Sequence, residues 1–71
     1  MRILAIGGFT ASLKSWGRCD LAVKSGEEVH VHTLYQGHSV YKARDVAQLA
    51  AKTLKLAGVD FEIIEDIEAV E

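Results

Sequence analysis

The sequence predicts a small α/β domain in which three parallel strands alternate with two helices, in the order βαβαβ. A continuous apolar run at residues 3–6 is typical of a strand that is covered on both faces. Apolar residues between positions 40 and 57 recur every three or four residues, which is typical of a helix that packs on a sheet. Glycines stand where these elements are expected to end, at Gly7, Gly26 and Gly58.

Length and composition indicate one domain of 71 residues with a small core. A chain of this size buries only about 60% of its unfolded surface, so its stability is marginal without help. No apolar run approaches the roughly 20 residues of a membrane span, and the first apolar run is too short for a signal peptide. The single cysteine, Cys19, excludes an internal disulfide and fits a reducing compartment. We therefore expect a cytoplasmic protein without a membrane partner.

Charge is distributed unevenly along the chain, although the net charge is only −2. Residues 1–59 hold eight basic and four acidic residues, a balance of +4, whereas residues 60–71 hold six acids and no base. Residues 65–71 are therefore interpreted as an acidic tail of the single domain 1–71. Nucleic-acid binding is not expected, because the Lys and Arg residues are scattered and no aromatic residues alternate with them.

The first strand is predicted at residues 2–6, and Gly7 and Gly8 after it allow a tight turn. Thr10 and Ser12 then have hydroxyls that can cap a helix start. Ligands of open α/β sheets bind at the carboxyl end of such a strand.

The first helix is predicted within residues 13–25. Its apolar residues are spaced by three and four positions, at Leu13, Trp16, Cys19 and Val23. Gly17 disfavours the helix by about 1 kcal/mol relative to Ala, so the helix is expected to begin near Arg18 and to end at Gly26. Cys19 and Trp16 are interpreted as core residues of this helix.

The second half of the chain predicts a strand, a helix and a strand. Residues 28–35 alternate, with Val29, Val31 and Thr33 on one face and the two histidines on the other. Ser39 is the expected N-cap of a helix at residues 40–57, and a third strand follows at 59–64.

A βαβαβ unit corresponds to one half of a Rossmann-type fold, and its crossovers are expected to be right-handed. A strand order of 3-2-1 would leave one sheet face bare, whereas 2-1-3 would place the first strand in the centre with helices on both faces. Three strands are few for an isolated sheet. We therefore expect self-association, a partner chain that covers the sheet, or a missing remainder of a larger protein.

The candidate ligand site lies at the end of the first strand. Helix-start N–H groups and hydroxyls can hold a small anion or a sugar there, and the candidate residues are Gly7, Gly8, Thr10, Ser12 and His38. His30 and His32 have the spacing of metal ligands on one strand face, but solvated or acid-paired histidines are the more common case. We therefore expect no metal, no other cofactor and no catalytic residue.

Most of the chain resembles the opening segment of the zinc-dependent N-acetylsugar deacetylases of the PIG-L/LmbE type. The similar stretches are residues 1–7, 26–31, 33–37 and 56–59, with the alanine-rich helix between the last two. That family places His-Pro-Asp-Asp after the first strand to bind zinc and to act as base. The positions here read Phe9-Thr10-Ala11-Ser12, which neither ligate zinc nor act as a base at neutral pH.

A second resemblance is to the N-terminal domain of two-domain glycosyltransferases of the GT-B kind. Residues 7–10, 12–13, Trp16 and 26–29 are similar to that domain's glycine turn, Ser-Leu and aromatic stretch, and second strand. In that family the turn faces the acceptor, and the donor site lies in another domain.

The sequence thus predicts a non-catalytic α/β binding or assembly module that resembles a deacetylase segment without its zinc ligands. Alternatively, the chain is one part of a sugar- or nucleotide-processing enzyme, either a deacetylase or a glycosyltransferase. Another chain or a missing C-terminal part would then complete that enzyme.

Overall fold

A computed structural model describes residues 1–70 as a four-stranded sheet with one helix. In chain order the elements are β1 (Arg2–Thr10), β2 (Ser15–Ser25), β3 (Glu28–Gly37), α1 (Val40–Leu56) and β4 (Glu62–Ala69). The sheet order is β3-β2-β1-β4, and only the β1–β4 pair is parallel. The fold is therefore α+β with a mixed sheet, and the predicted βαβαβ unit with a three-stranded parallel sheet and two helices is wrong.

The error lies in residues 13–25, where a strand replaces the predicted first helix. β2 pairs with β1 along its length, with Cys19 opposite Ile6 and Leu21 opposite Leu4. Successive side chains of a strand point to opposite faces, and the buried positions Gly17 and Cys19 follow this period of two. The period of two therefore prevails over the three- and four-residue spacing.

Gly26 has the expected left-handed backbone, with φ of 62°, but it serves a different element. It lies with Glu27 in the two-residue turn that joins β2 to β3, rather than at a helix end. Glycine adopts positive φ at no steric cost, which suits such a hairpin turn. Leu13, expected on a helix face, is 97% exposed in the connection between β1 and β2.

The predicted glycine turn after the first strand is also absent, because β1 continues through Gly7 and Gly8 to Thr10. Gly8 has φ of 143°, and a Cβ there would lie 2.0 Å from the backbone oxygen of Trp16. Glycine is needed at this position because β1 and β2 approach closely where Gly8 faces Gly17.

The predictions for the middle of the chain are confirmed. β3 extends the predicted strand by two residues, and α1 ends one residue before the predicted bound. The Ser39 Oγ accepts a hydrogen bond from the Lys42 amide at 3.2 Å, as expected of an N-cap. Gly58 follows the helix with φ of 70°.

The last strand lies later in the chain than predicted. β4 covers residues 62–69 rather than 59–64, so most of the expected acidic tail is paired with β1. Ile63 lies opposite Leu4 and Ile67 opposite Gly8. The last acid of the tail, Glu71, lies outside the described residues.

The core lies between α1 and the sheet and is small. Its buried residues come from both layers: Leu4, Ile6, Cys19, Val40, Ala43, Ala47 and Ala51. α1 lies across β1 and β2 and reaches β3. The alanines and Gly17 let the helix backbone come close, because a Cβ on residue 17 would lie 2.7 Å from the Val40 Cα. The helix covers one face of the sheet, and the opposite face is open.

Candidate functional site

The predicted ligand-site residues fall in two groups. Thr10, Ser12 and His38 lie towards one end of the sheet, where β1 and β3 end and α1 begins. The Ser15 Oγ there donates to the His38 backbone oxygen at 3.1 Å, and the Val70 amide donates to the Thr10 oxygen at 2.8 Å.

Gly7 and Gly8 lie inside β1, two or more residues from this end, and they form no turn. No helix start follows them, because β2 comes next in the chain. The helix-start N–H groups that were expected to hold an anion are therefore missing after β1. Ligand binding by Gly7, Gly8, Thr10, Ser12 and His38 stays a prediction.

The histidines of β3 share one face of the strand, as the alternation predicts. His32 pairs with Leu21 and His30 with Val23, and both imidazoles are exposed. The His30 Nε2 lies 3.3 Å from the Glu28 carboxylate, which is the acid pairing considered above. Within residues 1–70, no three His, Cys, Asp or Glu side chains are grouped so that they could hold a metal ion.

Cys19 is a core residue, as expected, although it lies on a strand rather than a helix. Burial, and secondarily the negative charge of Asp20, raises the pKa of its thiol. A raised pKa reduces the fraction of thiolate at neutral pH, and the thiolate is the reactive form. The chemistry of this residue is therefore that of a small core side chain.

An uncovered surface, which we call the open face, is the side of the sheet opposite α1. Its apolar side chains are contributed by all four strands: Ile3, Ala5, Phe9, Trp16, Ala22, Val29, Val31 and Ile64. Val29, Val31 and Ile64 are 52%, 55% and 49% exposed. Trp16, expected in the core, is half-buried on this face.

Charges on the open face are partly neutralised within the sheet. The Arg18 Nε donates to both oxygens of Asp20 at 3.1 and 2.8 Å, and its Nη2 donates to the Thr33 Oγ1 at 3.1 Å. Lys24 lies on the same face near the β2–β3 turn. β4 adds a row of acids to this face at Glu62, Asp66 and Glu68.

A second uncovered surface lies on the helix side, where α1 leaves β4 exposed. We call it the α1–β4 groove, and its volume is 740 Å³. Aliphatic residues form its floor and walls: Ile6, Ala47, Ala51, Leu56 and Ile63. Arg44, Gln48, Lys52, Lys55 and Glu65 form its polar rim.

The rim of the α1–β4 groove carries more positive than negative charge. Glu65 is paired with Arg44, whose Nη2 and Nε donate to one carboxylate oxygen at 2.6 and 2.8 Å. Within the described part of the chain, Lys52 and Lys55 form no ion pair. The groove thus combines an aliphatic floor with two free ammonium groups.

A bare sheet face followed from only one of the two strand orders that the sequence allowed, and the residues that form the open face were not predicted. The alternation of apolar and polar residues at 16–24, bounded by Ser25-Gly26, was the signal for a hairpin strand. The α1–β4 groove carried no such signal, because it depends on the pairing of β4 with β1.

α1, the only helix among residues 1–70, is too short and too polar to cross a bilayer. Comparisons of the chain with protein families, with curated proteins and with solved structures found no match. No matched protein therefore tests the resemblances to the deacetylases and to the glycosyltransferases, which stay predictions.

Proposed function

We propose that the chain is a non-catalytic assembly module that dimerises by packing its open face against the open face of a second copy. The observation that carries this proposal is the apolar surface of the open face, contributed by all four strands and left uncovered by α1. Exposed apolar patches of this kind mark interaction sites in stable proteins.

The small core supports the need for a partner. Within residues 1–70, seven buried apolar side chains, three of them from alanines, hold the helix to the sheet. Fully burying one Val, Leu or Ile side chain contributes about 1.5–3 kcal/mol. Val29, Val31 and Ile64 are about half exposed, so covering all three would contribute about 2–4.5 kcal/mol per chain, a large fraction of the total of about 5 kcal/mol of a marginal domain. Two sheets packed face to face at about 10 Å would achieve this.

Charge favours a second copy as the occupant. In a two-fold symmetric dimer the same surface of both copies forms the interface, so that surface must be self-complementary. The open face carries both signs, with Glu62, Asp66 and Glu68 on β4 and Lys24 on β2, beside the paired Arg18 and Asp20. Because the Arg18–Asp20 pair satisfies most of its own polar groups, it can be covered without an unpaired buried charge.

Other parts of the sequence-based interpretation are compatible with this module. The cytoplasm remains the proposed compartment, since the one cysteine is free and leaves no internal disulfide. A small anionic or sugar ligand, and the alternative of an enzyme part completed by another chain, remain predictions that the dimer does not require.

The test is the molar mass of the purified chain by light scattering after size exclusion. We expect twice the 7.8 kDa mass of one chain. Val31→Lys and Ile64→Lys, at opposite edges of the open face, should each give a monomer, because a buried ammonium opposes association. Leu49→Lys is the matched control, since Leu49 is 67% exposed on α1 and lies outside the open face.

The two edge variants also separate face packing from strand pairing. A dimer formed edge to edge through β3 would respond to Val31→Lys and not to Ile64→Lys. That result, or a monomeric unaltered chain at about 100 μM, would overturn the proposal. Equal dissociation by Leu49→Lys would place the interface elsewhere and overturn it as well.

A further inference from the structure

The helix layer over the sheet is incomplete, and the gap lies over β4. A helix with its side chains is about 10 Å wide and covers about two strands spaced by about 4.8 Å. α1 lies across β1 and β2 and reaches β3, whereas it meets β4 chiefly through the Arg44–Glu65 pair. Apart from Ile67, which packs against the core, β4 and its free edge therefore remain uncovered on the helix side.

The uncovered strip has the dimensions and composition of a helix-binding groove. A second helix beside α1 would lie at an axial distance of about 8–10 Å, over Ile63. Ile63 is 54% exposed and Leu56 is 81% exposed, so both aliphatic surfaces are available. Ala47 and Ala51 on the α1 side leave room for larger side chains of an incoming helix.

We propose that the α1–β4 groove binds an amphipathic helix of a partner protein, with acidic residues beside its apolar stripe. The apolar stripe would lie on Ile6, Ala51 and Ile63, in the manner of helix-in-groove recognition. The acids would meet Lys52 and Lys55, which have no acidic partner within residues 1–70. This surface lies on the opposite side of the sheet from the dimer face and does not depend on the dimer.

Charge argues against a second copy as the occupant of this groove. α1 is the only helix among residues 1–70. Its polar surface carries more base than acid, with Lys42, Lys52 and Lys55 against Asp45. A second α1 would therefore bring ammonium groups next to ammonium groups, which opposes association.

The probe is a fluorescein-labelled peptide of about 18 residues, long enough to match α1. Its Leu/Ala stripe is flanked by Glu, and a second peptide has the same stripe flanked by Lys. Binding of each peptide to the full chain is measured by fluorescence anisotropy. We expect the Glu peptide to bind at least about tenfold more tightly than the Lys peptide, because only the former complements the rim.

Two variants locate the binding. Lys52→Glu with Lys55→Glu should invert the preference, so that the Lys peptide binds more tightly. The matched control, Lys14→Glu with Lys42→Glu, makes the same charge change at exposed positions outside both the groove and the open face, and it should leave the preference unchanged. Ile63→Lys changes an exposed residue of the groove floor and should lower the affinity for the Glu peptide by about tenfold or more.

Three results would overturn the proposal. The first is no binding of the Glu peptide at millimolar concentration, and the second is an equal effect of the control pair. The third is binding of a labelled long-chain carboxylate without binding of the peptide, which would make the groove a site for an anionic lipid. A monomeric chain that still prefers the Glu peptide would contradict only the dimer.

Discussion

Gly17 has a tightly constrained position, because the backbones of β2 and α1 meet there. A Cβ at this position would lie 2.7 Å from both the Ser39 oxygen and the Val40 Cα. Both are backbone atoms at the start of α1, so neither can rotate aside. In the sequence Gly17 indicated a weak helix, whereas in the fold it sets the distance between α1 and β2.

Gly17→Ala should therefore destabilise the protein, because the added methyl forces α1 away from the sheet. We expect a loss of about 1–3 kcal/mol in the free energy of unfolding, measured by urea denaturation. Gly7→Ala is the matched control, since its Cβ would meet only the Asp66 oxygen at an ordinary 3.7 Å. Equal losses in the two variants would contradict the close approach at Gly17.

At the scale of elements, α1 could be predicted from the sequence, whereas β2 could not. α1 was predicted because 17 residues keep one helical period between a serine cap and a terminal glycine. Residues 13–25 carry two overlapping patterns, because Leu13, Trp16, Cys19 and Val23 keep a helical spacing. In the strand, Cys19, Leu21 and Val23 alternate and lie on the α1 side of β2. Only the pairing with β1 and β3 decides between them, and such pairing is not local.

The candidate surfaces follow from the same non-local pairing. A bare sheet face was expected for the strand order 3-2-1 only, and not for 2-1-3, which would have placed helices on both faces. The residues that form it could not be predicted while β2 was taken as a helix. The α1–β4 groove requires the parallel pairing of Leu4 with Ile63, a contact between the two ends of the chain.

The Arg44–Glu65 pair links α1 to β4 across the groove, and its contribution should be small. The two side chains are 44% and 43% exposed, so water screens their attraction. A double-mutant cycle with Arg44→Met and Glu65→Gln should give a coupling of about 0.2–1 kcal/mol at low salt. The coupling should fall at about 0.5 M salt. No coupling at low salt would show that this pair does not help to hold α1 to β4.

At the scale of the whole molecule, folding and assembly should be linked. Among residues 1–70 the core has seven buried apolar side chains, while large apolar side chains remain exposed on both sides of the sheet. Because the proposed dimer covers one of these surfaces only in the folded state, association would stabilise the fold by mass action. The separate groove on the helix side would add a second, independent source of stability when it is occupied.

The thermal midpoint should therefore rise with protein concentration. For a dimer that unfolds to two chains, a tenfold increase in concentration adds about 1.4 kcal/mol of apparent stability per dimer. That corresponds to an increase in Tm of about 3–6 °C for a domain of this size. Circular dichroism melts at about 5 and 50 μM measure this shift. Val31→Lys should melt at a lower temperature that does not vary with concentration. If the Tm of the unaltered chain does not change with concentration, its small core is sufficient for folding. The open face is then not covered by a second copy, and the proposed dimer is wrong.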